Sequence, residues 1–549
     1  MDLEKHEHKA SIAEEAVVPV EYAGSPHIQS NVYGETRRGL KSRHIQLIAI
    51  GGTMGTGLFV GSGAILSTVG PANLFMAYIV MSFILWAAMN CLAEMTTYLP
   101  TKGASVSYYI DRFVDPSLAF AAGWNYWYAY AMLVSAEVSA ATLVVQYWTH
   151  AIPVPVLITI FLLVILLLNI FAVSWYGESE FWFASLKILG IVSLILIGII
   201  LFFGGGPTHD RLGFRFWDHP GAFKPYMVSG PTGQFLGFWT ALVRAGFAFV
   251  LSPELVTAAA GESEAPRRNI PKAARRFVYR VVFFYVLGSL VAGIITPSDD
   301  PRLLQAVSAG ANGAGASPFV LGIQRAGIRG LNHVYNAMIL TSAWSAGNSF
   351  VFASSRALYS LAVAGQAPRV LRRCNARGVP YVAVCGSVAV SCVVYLNVSS
   401  GAAVAFQWFI NLTTISGLIA WIVLFVCYIR FRQAIVYHGA LDTLPFRTPM
   451  QPYITWFTLF IVTVLTITNG FQVFFPGQFS ASSFLAAYIT IPLFLILYLG
   501  HKVWFRGPWL RRVGDIDVFK GKEEADRLEA EDVPPVPRNV FQRVWFWIA

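Results

Sequence analysis

Three charged residues stand where the surrounding sequence is otherwise apolar. Glu137 lies between YAYAMLVSA and VSAATLVV, Lys187 lies within ASLKILGIV, and Glu254 directly follows Pro253 in FLGFWTALVRAGFAFVLSPELVTAAAGE. A charge in such a run is costly in hydrocarbon unless it is partnered, so each must pair, bind an opposite charge or carry a proton. The structural alternatives are specific. Glu137 could hydrogen-bond a neighbouring helix, Lys187 could reach the headgroups from a position about two turns inside its span, and Glu254 could satisfy backbone groups freed by Pro253. Glu94 and Arg244, nearer span ends, read as helix-end pairs.

A second chemistry belongs to the backbone. The stretch AIGGTMGTGLFVGSG carries Gly51, Gly52, Gly55, Gly57, Gly61 and Gly63 inside an apolar run, where each glycine weakens a helix by about 1 kcal/mol relative to Ala. Gly51/Gly55 and Gly57/Gly61 are GxxxG pairs suited to close helix packing. The alternative is an opened turn. A proline inside a span removes a hydrogen bond and kinks the helix, so Pro253 interrupts the sixth span as the glycines interrupt the first. Spans one and six correspond in two five-span halves, and paired interruptions of this kind point to the binding site of an inverted-repeat transporter. An opened turn offers N–H groups at the positive end of one half-helix and carbonyls at the end of the other. Together they suit a zwitterion such as an α-amino acid better than a sugar or an inorganic ion. Gly55, Thr56 and Gly57 are expected to be non-helical and to face a cavity.

The elements that position these groups follow from hydropathy. Of 549 residues 56% are hydrophobic and 12% charged, against about 25% charged in soluble domains. Twelve apolar runs, near 44–70, 72–98, 117–147, 153–174, 180–204, 234–258, 277–297, 330–363, 380–396, 402–429, 454–474 and 482–503, approach or exceed the roughly 20 residues that span a bilayer. Basic residues gather before the first span (Arg37, Arg38, Lys41, Arg43) and between spans six and seven (Arg267, Arg268, Lys272, Arg275, Arg276, Arg280). They also gather in the eight–nine and ten–eleven loops, which puts these segments and both termini in the cytosol. The net charge of +10 therefore sets topology rather than nucleic-acid binding. Residues 1–43 read as a cytosolic tail, 44–430 as a ten-helix core (repeats about 44–204 and 234–430), 454–503 as two further helices, and 504–549 as a cytosolic tail. KGKEEADRLEAEDVPPVPRN is too charged to pack, and VFQRVWFWIA could lie on the membrane surface. Neither the five cysteines nor the ten histidines have metal-site spacing, and no cofactor is implied. A sequon at Asn397-Val398-Ser399 lies close to the bilayer.

IGGTMGTGLFVGSG resembles the first-span motif of the fungal amino-acid permeases, the yeast amino acid transporter family of the amino acid–polyamine–organocation superfamily. LAEM, PTKGA, AGWNYWYAYAMLVSAEVSAA, ESEFWFASLKI, PELVTAAAGESEAPRRNIPKA, NSFVFASSRALYSLAVAGQAP and FINLTTISGLIAW follow in that family's order. The resemblance covers roughly residues 38 to 503. It implies an all-α integral membrane protein with a leucine-transporter-type 5+5 inverted repeat, broken helices 1 and 6 and twelve transmembrane helices. The implied activity is proton-coupled import of amino acids across the plasma membrane by alternating access, with trafficking or ubiquitylation machinery acting on the tails. A non-transporting sensor on the same fold is the alternative, and a membrane-embedded enzyme lacks a nucleophile–base pair.

By resemblance the substrate carboxylate meets backbone amides at Thr56 and Gly57, and the ammonium meets carbonyls around Thr53, Ala248 and Leu251. Gly55 and Phe249 line the same pocket. Glu137 partners the ammonium or carries the proton, and Lys187 stands where sodium sits in sodium-coupled relatives. Pro253, Glu254 and Phe247 form the break and gate. The family has Gly where this chain has Ser252, which puts a Cβ into the break.

Overall fold

The computed structural model describes residues 52–100, 106–171, 173–260, 265–308, 317–400, 402–531 and 539. The N-terminal tail, the start of the first span and the segment VFQRVWFWIA lie outside them. Every regular element among the described residues is helical. In chain order these are α1 (Gly57–Val69), α2 (Pro71–Tyr98), α3 (Val106–Phe113), α4 (Pro116–Gln146), α5 (Val154–Phe171) and α6 (Val173–Phe202). There follow α7 (Gly230–Phe249), α8 (Ser252–Ala260), α9 (Pro266–Ile295), α10 (Pro301–Ser308), α11 (Pro318–Arg325) and α12 (Leu331–Val363). The last are α13 (Tyr381–Ser391), α14 (Asn397–Ser400), α15 (Ala402–Tyr437), α16 (Tyr453–Ile467), α17 (Ala481–Tyr488), α18 (Thr490–Phe505) and α19 (Lys522–Glu531).

Local chemistry sets several of these boundaries. Proline opens α2, α4 and α9, where its missing N–H costs nothing. Asp115 caps α4 by accepting the N–H groups of Ser117 at 2.7 Å and Leu118 at 3.1 Å, and it also pairs with Lys502 at 3.0 Å. Gly70, at φ 89°, makes the sharp turn between α1 and α2, and a Cβ there would lie 2.7 Å from the Ala222 carbonyl oxygen.

By length and composition seven of the described helices can cross a membrane, and α17–α18, bent by 46°, can make an eighth. The twelve expected runs reach further because Gly57–Val69, Tyr381–Leu396 and Tyr453–Ile467 are shorter apolar helices, while α12 carries many buried polar residues, among them Asn336, Ser342, Ser345, Asn348 and Ser349. Leu163 and Leu167 on α5, with Leu189, Leu196 and Ile200 on α6, stand exposed. That apolar belt is suited to lipid rather than water. Inside it, α4 packs on α12 and α15, and α2 packs on α9 and α7. Among these helices α7 is the first half of the interrupted sixth span, and it also packs on α1, the second half of the first. Asn397 of the sequon is buried and donates to Ser139 Oγ at 2.8 Å, a poor position for glycan attachment.

Of the charged segment KGKEEADRLEAEDVPPVPRN, read from sequence as unable to pack, residues 520–531 instead lie along one end of the bundle with the residues just before them, and 532–538 lie outside the described residues. Arg511 donates its N–H to the Val114 carbonyl at 3.1 Å. Arg112 donates to the Asp517 and Lys520 carbonyls at 2.9 and 2.7 Å. Arg267, itself buried, pairs with Asp526 and, at 2.9 Å, with Glu529 on α19. The acidic side chains that looked unpackable are the ones that complement arginines presented by the core.

Candidate functional site: two facing helix breaks

The first interrupted span is helical at Gly52 and Thr53, bends at Met54 and Gly55, and is helical again from Thr56. Gly57–Gly61 then form a π-helical segment that runs into the rest of α1. The opening is therefore one residue earlier than expected: Gly55 is non-helical, but Thr56 and Gly57 already begin the second half. The sixth span breaks over two residues. α7 ends at Phe249, Val250 is extended, and Leu251 takes φ 63° before Ser252 starts α8. That left-handed conformation costs a β-carbon-bearing residue about 1–2 kcal/mol. The strain thus falls on Leu251, and Ser252, the departure from the family's glycine, sits in the helix that follows.

Glycines bring the breaks together. A Cβ on Gly57 would lie 2.8 Å from Ala248 Cα, and one on Gly52 would lie 2.4 Å from the Leu255 side chain. Gly417 on α15 admits Val250 in the same way, at 2.4 Å. Gly61 has nothing nearer than the Thr56 carbonyl at 3.9 Å. In the glycine-rich first span, Gly52 and Gly57 therefore permit contact with the sixth span, and Gly55 admits the Glu137 carboxylate.

Thr53, Thr56, Glu137, Ala248, Phe249, Leu251, Ser252 and Glu254 are all buried, and Gly55, Gly57 and Pro253 with them. Their exposed backbone groups are met by other parts of the protein. The Thr56 N–H, expected to hold a substrate carboxylate, donates to both Glu137 oxygens at 3.2 and 3.3 Å. A Cβ on Gly55 would strike Glu137 Oε1 at 2.2 Å, so the bare Gly55 is what lets this carboxylate in. The carbonyls expected to hold an ammonium are met by tyrosines. The Tyr285 hydroxyl donates to Thr53 O at 2.7 Å and Ala248 O at 3.0 Å, and the Tyr130 hydroxyl donates to Leu251 O at 2.9 Å. Tyr78 donates to Gly57 O at 3.2 Å and Ser342 to Met54 O at 2.6 Å. Phe249 stands among these rings, 4.6 Å from Tyr285 and 5.4 Å from Tyr78 between centroids. Phe247 turns the other way, toward Phe406 on α15.

Glu254 does not satisfy the freed backbone. Among the described residues neither of its carboxylate oxygens finds a hydrogen-bond partner, although Tyr126 and Trp421 stand beside it. Glu94 does pair, with Arg432 and with Thr448, whose N–H and hydroxyl reach it at 3.1 and 2.9 Å. Arg244 donates to Thr68 Oγ1 at 3.0 Å. Lys187 is fully buried and lies fourteen residues into the thirty of α6, about 21 Å along the axis. Its side chain is enclosed by the protein and does not extend to the surface. Its strongest electrostatic neighbour is Glu180, followed by Glu137.

Sequence reasoning missed Glu180, Tyr285, Tyr130, Tyr78 and Ser342. Glu180 was legible from spacing: seven residues before Lys187 it shares that face of the helix, whereas Glu178 does not. Glu180 is fully buried and accepts the Ser345 hydroxyl at 2.7 Å. The tyrosines carried a weaker signal. A buried tyrosine needs a partner, and a broken span nearby supplies orphaned carbonyls.

Residues 44–511 match the family model for amino acid permeases. The chain belongs to the amino acid permease family. The permease is 58% identical over 513 residues to a proline-specific permease of Emericella nidulans, covering 93% of each chain. It is 57% identical over 500 residues to a probable proline-specific permease of Schizosaccharomyces pombe, covering 91% of this chain and 90% of that one. The proline-specific permease of Saccharomyces cerevisiae is 50% identical over 536 residues, 96% of this chain and 86% of that one. A solved variant of the Eremococcus coleocola manganese transporter superposes with a TM-score of 0.54 at 16% identity, covering 90% of this chain and 99% of that one. It shares the membrane-transporter fold. The permease is accordingly a fungal-type, multi-pass amino-acid transporter and not an enzyme.

Proposed function

We propose that the permease imports proline, coupled to protons, across the plasma membrane by alternating access. Glu137 exchanges with the substrate carboxylate at the Thr56 amide. The single observation that carries this reading is the Glu137 carboxylate lying on the Thr56 N–H inside the first break. Ionised, Glu137 is an internal stand-in for the substrate's carboxylate and competes with it. A proton on Glu137 removes the charge that makes the bond strong and leaves the amide to the substrate. Loss of that proton on the cytosolic side restores the competitor and helps eject the substrate. Lys187, within the electrostatic reach of Glu137 and Glu180, balances the charge of the two carboxylates during this cycle. Proline is taken as the substrate because the three relatives described above are named proline-specific permeases.

The architecture that supports this is a 5+5 repeat, with the breaks in helices 1 and 6 facing each other and twelve membrane helices once the shorter apolar helices and α12 are counted. Residues 44–430 form the transport core, with two more helices in 454–503. Both termini are cytosolic, where the arginine-rich end of the bundle also holds the C-terminal segment and offers a surface to trafficking or ubiquitylation machinery. Phe247, near the end of α7, and Pro253 and Glu254, at the start of α8, flank the break in the sixth span and form its gate.

Purified permease in lipid vesicles tests the function. An inward proton gradient should drive labelled proline above its external concentration, and a protonophore should abolish the accumulation. Binding of proline with no flux, or flux indifferent to the gradient, would overturn the reading.

A further inference from the structure

The carbonyl cluster between the breaks has a countable acceptor capacity. A carbonyl oxygen carries two lone pairs. Thr53 O spends both, one on the Gly55 N–H at 2.9 Å and one on the Tyr285 hydroxyl at 2.7 Å. Ala248 O shares the same hydroxyl at the longer 3.0 Å, and Leu251 O takes one hydroxyl, from Tyr130, at 2.9 Å. Tyr285 is fully buried, and its ring is stacked on Tyr78 at 5.9 Å and held against Phe249 at 4.6 Å. The hydroxyl therefore cannot swing away without disturbing the packing. It has a single proton, and committing that proton to the nearer Thr53 O frees Ala248 O. Two N–H groups on one nitrogen diverge tetrahedrally and cannot both point at one oxygen, so a ligand ammonium then finds two acceptor atoms, Ala248 O and Leu251 O, with Thr53 O closed to it.

We propose that Tyr285 is a specificity-determining residue that fixes the acceptor count at two, so that the site selects a secondary over a primary ammonium. The inference rests on the reading of the site as one for an amino-acid zwitterion. A secondary ammonium has two N–H groups, and both are satisfied. A primary ammonium brings a third, buried without an acceptor. Leaving a buried donor unsatisfied weakens binding by about 5- to 150-fold.

Alanine and N-methylalanine separate donor count from side-chain shape, because they differ by one N-methyl group. The added bulk acts against the methylated compound, so a preference for it reports the donor count. Competition against labelled proline with the full-length permease should show N-methylalanine outcompeting alanine by about 5- to 150-fold. Tyr285→Phe keeps the ring and reopens Thr53 O, so alanine should gain and the gap should close. Equal competition by the two amines in the wild type overturns the proposal, and so does an unchanged gap in a Tyr285→Phe protein that still binds proline. The wild-type comparison decides the matter even if the variant does not accumulate. Failure of the wild type to bind proline at all would instead count against the zwitterion site itself.

Discussion

Gly55→Ala puts the proposed exchange at the Thr56 amide under direct strain. A Cβ at this position would lie 2.2 Å from Glu137 Oε1 and 2.9 Å from its Cδ, against 3.4 Å or more for ordinary contact. The carboxylate must therefore withdraw by about 1 Å. Its bonds to the Thr56 N–H, at 3.2 and 3.3 Å, would then exceed hydrogen-bonding distance. A hydrogen bond to a charged group contributes about 1.5–3 kcal/mol, which corresponds to roughly 10- to 150-fold in binding. In the wild type that bond opposes proline only while Glu137 is ionised, so proline should bind more weakly at alkaline than at acidic pH by up to this factor. In Gly55→Ala the competitor has left the amide. Proline affinity should become nearly independent of pH, and proton-driven accumulation should fall while surface expression persists. Equilibrium binding of labelled proline across pH reads the first effect and vesicle uptake the second. Gly61→Ala is the matched control, because its Cβ meets only the Thr56 carbonyl at 3.9 Å. A Gly55→Ala protein with the wild-type pH slope would refute the competition.

Three further outcomes follow from the same geometry. Gly57→Ala presses a Cβ to 2.8 Å from the Ala248 backbone, which cannot rotate aside. Overpacking of this kind costs about 1–3 kcal/mol, so uptake should drop about 5- to 150-fold with the tagged protein still at the cell surface. Glu180→Gln should alter the pH profile of uptake by removing the strongest neighbour of Lys187, whereas Glu178→Gln, exposed on the same helix, should leave it unchanged; identical profiles for the two variants would remove Glu180 from the coupling. Outside the membrane, burial pushes the Asp111 carboxyl up to about 6, against the opposing pull of Arg511. Because the folded value lies above the ordinary 3.8, the packing around Asp111 is most favourable below about pH 4 and loses that contribution as the pH rises to 6. Hydrogen exchange of residues 511–520, corrected for intrinsic rates, should show this dependence, and Asp111→Asn should abolish it.

The helical membrane class was legible because apolar runs long enough to span lipid depend on composition alone. The two interruptions were legible for a similar reason: a cluster of glycines and a mid-span proline are local departures from helix chemistry. Their exact register was not. The bend falls at Met54–Gly55, and the positive φ falls on Leu251 rather than at Ser252, because the turn is set by which backbone groups neighbouring helices can satisfy. Those partners lie far away in sequence. Thr53 is 232 residues from Tyr285, and Leu251 is 121 from Tyr130, and nothing in a single tyrosine says which carbonyl it will meet. Glu254, placed correctly in the break, seemed the natural partner of the freed backbone, yet neither of its carboxylate oxygens finds a hydrogen-bond partner among the described residues. The helix that carries Lys187 begins at Val173, earlier than the expected run at 180–204, because Tyr176, Glu178 and Glu180 disguised its start. The C-terminal segment was misjudged because its acidic side chains were weighed without the arginines that receive them.

Proton uptake on substrate binding tests the central claim most directly. Proline added to weakly buffered, purified permease, at a pH where Glu137 is largely ionised in the free protein, should withdraw about one proton per proline bound, read with a pH indicator. Glu137→Gln should bind proline while taking up none. No proton uptake in the wild type, or undiminished uptake in Glu137→Gln, would contradict an exchange between Glu137 and the substrate carboxylate at the Thr56 amide.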